Sequence, residues 1–187
     1  MSFFEYTSVM VAVVLALGIA RILSAVGELL VERRSTRAYW VHGLWLFFYF
    51  LLHLRIWWGY WDVRDSPPTL LPAFIFMLLG PALAYLGAYL LVPGHFPDDA
   101  DAHFYAVRKP FFGIGLTSLL VALATPTVLG YQMPLGFSAG AGIGLLPLTL
   151  GLASANRRLQ GAVVVLVFTS FVANFMSRMV AGAFTPG

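Results

Sequence analysis

Six apolar runs, each close to the ~20 residues that cross the hydrocarbon core of a bilayer, dominate this 187-residue chain. They lie at about 4–31, 39–62, 69–92, 110–131, 134–155 and 160–183. Prolines and charges punctuate the joins: ERRSTR, RDSPP, PGHFPDDADAHFYAVRKP, YQMP and SANRR. In lipid a backbone must satisfy its own hydrogen bonds, so each run reads as a helix. A β-barrel strand alternates apolar and polar residues, and these runs do not. The expected fold class is therefore all-α: one polytopic transmembrane helical bundle of about six spans over 1–187. A cytoplasmic interfacial segment is expected at about 93–109. The join between 110–131 and 134–155 is so short that the pair can also form a re-entrant hairpin.

Composition agrees. Apolar residues make up 60% of the chain and charged residues only 10%, against about 25% charged in a soluble domain. Too few polar side chains remain to cover a water-facing surface, so a lipid bilayer is the expected partner. There is no cysteine, which excludes disulfides, Fe–S clusters and thiolate zinc sites. The net charge of +3 sits in the joins and reports topology, not nucleic acid. No Ser–His–Asp order, zincin motif, phosphate loop or DNA-reading module is present. The start, MSFFEYTS, lacks a basic n-region and reads as part of a retained first span.

The first, third and fifth joins hold Arg33, Arg34, Arg37, Arg108, Lys109, Arg157 and Arg158, whereas the opposite side holds only Arg64. This asymmetry places the odd joins in the cytoplasm and both termini outside. Trp40 and Trp45 stand at one end of the second run, and Trp57, Trp58 and Trp61 at the other. That spacing suits two interfacial aromatic belts.

Ionisable groups inside a span are costly and mark function or packing. Arg21 and Glu28 are seven residues apart on one helical face, with Ser24 between, and read as an inward-facing polar stripe. His42 and His53, with Tyr49 nearly in line, share a face of the second span. Glu5, His53, Arg55, Asn174 and Arg178 are expected to gather near the outer surface, with Glu5 pairing Arg55. The candidate binding residues are thus Glu5, Arg21, Glu28, His42, Tyr49, His53, Arg55 and Arg178. Two histidines at two depths are also the pattern of haem axial ligands. The remaining pair, His95 and His103, lies in one join, so no other span supplies partners within one chain.

Asp98 or Asp99 can cap a short helix in the third join, with Phe104, Tyr105 and Val107 resting on the inner leaflet. Capping already accounts for these acids, and no metal ligand set is assigned. Gly136, Gly140 and Gly144 form a small-residue face, suited to packing within one subunit or to an oligomer seam.

The stretches FEYTSVMVAVVLALGIARILSAVGELL and YWVHGLWLFFYFLLHLRIWW resemble a group of small polytopic membrane proteins of bacteria with no assigned activity. The resemblance covers roughly the first 110 residues. It implies a bacterial inner membrane and the span count, and carries over no functional residue.

Two functional classes follow. One is a small channel or transporter, homo-oligomeric, with a net positive path for anions or anionic amphiphiles. The other is a non-catalytic subunit or scaffold of a larger membrane complex, of a kind that can carry haem or pigment. The sequence itself names no cofactor. A transport path needs its polar residues in a water-accessible cavity; a scaffold needs them paired and dry.

Overall fold

The computed structural model describes residues 3–32, 39–64, 70–92, 94, 98–130 and 143–180, with backbone alone at 3, 32, 62, 63, 126 and 177–180. The helices are α1 (Phe3–Glu32), α2 (Trp40–Gly59, continued by a 3-10 turn Tyr60–Val63), α3 (Leu71–Leu91), α4 (Ala100–Leu129), α5 (Leu145–Ala153) and α6 (Arg157–Val180). No strand occurs among the described residues. The protein is all-α, and α1, α3, α4 and α6 are long and apolar enough to cross a membrane. These four helices suggest a membrane protein.

The 20-residue α2 is long enough to cross, at about 30 Å, but it is diluted by His42, His53, Arg55 and its tryptophans. Its position explains this. It packs against α1, α3, α4 and α6, so protein is its main surrounding. His42, Trp45, Leu46, Tyr49 and His53 form its buried stripe, at the three- and four-residue steps of one helical face.

The helices are locked by rings set against glycines. A Cβ at Gly18 of α1 would overlap the His53 ring, and one at Gly87 of α3 would overlap Tyr49. Phe112 of α4 meets Gly151 of α5 in the same way, and Trp40 meets Gly161 of α6. Removing the Cβ lets a ring take the place of a side chain and brings helix backbones close. Between them Trp45 packs edge-on to Phe111 and Phe112, at centroid distances of 5.0 and 5.7 Å.

Backbone polarity is satisfied locally. Pro81 lies inside α3 and cannot donate to the Met77 carbonyl one turn back. The Tyr60 hydroxyl donates to that carbonyl instead, at 3.4 Å. Thr117, Ser118, Thr125 and Thr169 each return their hydroxyl to the carbonyl four residues earlier, which keeps a polar group tolerable in lipid. Gly130, with φ +73°, follows the last residue of α4 in the left-handed conformation that terminates helices.

Two expectations are corrected. The interfacial segment does not end at 109 with a new span at 110: α4 runs unbroken from Ala100 through Pro110 to Leu129. Asp99 does cap it, accepting from the Ala102 N–H at 2.9 Å, but the helix continues into the apolar run. Phe104 does not rest on a leaflet; it is fully buried against Tyr39, Phe111 and Phe112. Of the run 134–155, the described part forms only the nine-residue α5, which rises about 13 Å. Gly136, Gly140, His95, Arg33, Arg34 and Arg37 lie outside the described residues.

Candidate functional site

The last carbonyls of a helix have no partner within it, and the C-terminus carries partial negative charge. At the end of α3 three helices supply donors. Arg21 of α1 donates through Nε to the Val92 carbonyl and lies over the Tyr89 ring, 4.2 Å from its centroid. The His42 ring of α2 bonds the Leu91 carbonyl at 3.0 Å, and His103 of α4 bonds Leu90 at 2.8 Å. A carbonyl only accepts, so each imidazole donates N–H from Nε2. Arg21 and His42 are thus brought together by the end of α3. The supposed stripe Arg21–Ser24–Glu28 is corrected: Ile22 and Ala25 hold the buried face of α1, Arg21 and Glu28 lie on its flank, and Ser24 is exposed.

The end of α5 is built alike. Arg108 of α4, buried, donates through Nη1 to the carbonyls of Gly151, Leu152 and Ser154 at 2.6, 2.6 and 3.0 Å. Gln160 of α6, fully buried, donates to Gly151 and Ser154 at 2.9 and 2.5 Å. Asn156 then caps α6 through the Arg158 N–H at 2.9 Å, and Arg157 pairs with Asp101. By sequence Arg108 counts as a loop charge and Gln160 does not stand out; the structure makes both of them caps of α5. The available signal is a polar residue that opens an apolar run, two residues after the charged join SANRR.

His53 donates from Nδ1 to the Tyr49 carbonyl at 2.6 Å. Its Nε2 is buried without a hydrogen-bond partner among the described residues and faces Gly18. Protein backbone occupies the position that an axial metal would need. His42 uses its own Nε2 on the Leu91 carbonyl, so neither ring presents Nε2 to a haem within this chain. Tyr49 packs behind Gly87 and also lines the cavity that Arg55 lines.

Arg55 differs. It lies 200° round α2 from His53, on the side turned from α1. There it lines a cavity of about 210 Å³ between α2, α4, α5 and α6. Trp45, Phe111, Leu148 and Val167 line one end; Arg55, Ser118, Ser170 and Asn174 supply polar atoms toward the other. Trp45 to Arg55 is about 15 Å along α2. Arg55 and Asn174 are therefore brought together, as expected. Glu5 is not brought to them. Gly18 faces His53 in antiparallel register, which sets Arg55 level with about Ala16. Glu5 is exposed, eleven residues and about 16 Å nearer the start of α1. Arg178 belongs to α6, and its side chain lies outside the described residues.

An apolar slot ending in a guanidinium can hold one kind of molecule well: an apolar tail with an anionic or strongly accepting head. No protein-family model, curated protein or solved structure matches the chain.

Proposed function

We propose that this chain is a six-span protein of a bacterial inner membrane that binds and moves anionic amphiphiles, with the Arg55 cavity as the loading site. The carrying observation is the cavity itself: apolar and aromatic at the Trp45 end, with one cation and three neutral polar groups toward the Arg55 end. Its depth along α2, about 15 Å, is half of a ~30 Å hydrocarbon core and so matches the chain of one leaflet. The Lys/Arg asymmetry supports placing the α3 and α5 C-termini, with their caps, in the cytoplasm and Arg55 in the outer half. The four-residue glycine spacing at 136, 140 and 144 supports self-association.

Removal of the charge tests the site. Arg55→Gln is expected to weaken oleate binding about tenfold, roughly 1.4 kcal/mol, while oleyl alcohol binding stays unchanged. Titrations of detergent-solubilised protein read both. Equal loss for the two probes would make Arg55 a packing residue and remove the anion preference. Topology has its own test. In spheroplasts, an impermeant maleimide is expected to label Ser2→Cys and to leave Arg34→Cys unlabelled; labelling at 34 reverses the orientation.

A second reading has one observation in its favour. Arg21 and His42 are tied to helix ends instead of lining the cavity, which is what a scaffold subunit of a larger membrane complex requires of them. On that reading the cavity holds a structural lipid.

A further inference from the structure

Arg55 lines two cavities. Besides the slot described above, a second of about 340 Å³ opens on the other side of the α2–α6 seam. Leu51, Leu54, Trp58, Val172 and Phe175 line it, and Arg55 and Phe171 are common to both. Apart from Arg55, the second cavity offers only apolar and aromatic side chains, so its occupant is a hydrocarbon chain. The first alone is below the ~300 Å³ at which small-molecule sites begin and the second just exceeds it, so a molecule with one chain in each uses space that neither offers alone. A ligand with one chain fills one cavity and leaves the other to a separate molecule. A ligand with two chains fills both while its head meets Arg55 once, and the second chain binds intramolecularly.

We infer that the ligand of this site is a two-chain anionic lipid, a diacyl phosphodiester straddling the α2–α6 seam with its headgroup on Arg55. This rests on the amphiphile reading above and deepens it. The head fits a guanidinium, which binds phosphate oxygens through paired N–H groups. The neighbouring Ser170 and Asn174 supply polar side chains at the same end.

Dioleoyl phosphatidylglycerol and its one-chain lyso form share a head and differ in chain number. Native mass spectrometry or titration is expected to find the two-chain lipid at least tenfold tighter. Leu54 is exposed in the second cavity, so Leu54→Trp can fill that space without entering the core. It is expected to bring the two-chain lipid within about threefold of the lyso form and to leave the lyso form unchanged. Val172→Trp is the second route to the same filling, should Leu54→Trp not fold. Equal binding of the two lipids, or no effect of either filling variant on the two-chain lipid, overturns the inference while leaving the single-chain site standing. Arg55→Gln without effect on either lipid overturns the underlying anion site instead.

Discussion

Arg108→Met is expected to lower thermal stability in detergent by the equivalent of about 3 kcal/mol. The guanidinium is buried and makes three hydrogen bonds to the end of α5. Two of those carbonyls, Gly151 and Ser154, keep Gln160 as a second donor. Leu152 has no other donor recorded among the described residues. One orphaned carbonyl costs about 1–3 kcal/mol, and charge-assisted bonds exceed neutral ones. Against this stands the desolvation that the buried cation no longer suffers, which keeps the expected loss near 3 kcal/mol. Because Gln160 buffers two acceptors, Arg108→Met with Gln160→Leu is expected to cost more than the sum of the single changes. Lys109→Met on the exposed neighbour is the control. Melting curves that do not separate Arg108→Met from Lys109→Met would show that the α5 cap carries no weight.

Charge position was legible in the sequence; charge partners were not. Arg21 stood out because an isolated cation deep in an apolar run needs an explanation. Seeking its partner among acids led to Glu28, because opposite charges are visible as letters. Among the described residues Arg21 instead donates to the end of α3, at Val92. Helix C-termini are acceptors made of backbone, and no residue type announces them when the chain continues into a loop. The same blindness hid Arg108 and Gln160, whose acceptors belong to α5, more than forty residues from Arg108. His42 belongs to this group too.

The long apolar helices are readable in the sequence, because the length and apolarity that lipid demands are both local. α1, α3 and α6 fall close to the runs that announced them. The start of α4 was misplaced because DADAHFYAVRKP carries charge, and charge was read as a boundary. Those charges serve neighbouring helix ends within the bundle: His103 bonds Leu90, Asp101 pairs Arg157, and Arg108 caps α5. In α2 the alignment of His42, Tyr49 and His53 followed from helical geometry. What they face did not, since glycine on another helix is a partner only in three dimensions. The cavity at Arg55 is of the same kind, assembled from four helices. Of its lining, the sequence marks Arg55, Tyr49 and Asn174 as candidate site residues.

Gly18→Ala is expected to destabilise the fold by about 1–3 kcal/mol, the range for overpacking a filled interior, and His53→Ala is expected to cancel much of that loss. In an exposed helix the change from glycine to alanine gains about 1 kcal/mol of helix propensity. Gly27→Ala, on the same helix with nothing near the added methyl, is expected to be neutral or stabilising for that reason. At Gly18 the methyl meets the His53 ring, which is fully buried and tied by Nδ1 to the Tyr49 carbonyl. The ring cannot swing away without breaking that bond, so the overlap outweighs the propensity gain. In His53→Ala the single change leaves a void and loses the Nδ1 bond. In the double variant the new methyl enters the space vacated by the ring, so the double should cost less than the sum of the two by 1 kcal/mol or more. This cycle also decides what His53 is. A ring held in place to separate α1 from α2 predicts strong coupling with Gly18 and little change in amphiphile binding at Arg55, which faces the other way. A His53 that lines a transport path predicts the reverse: additive stabilities, and binding or transport lost in His53→Ala whatever residue stands at 18.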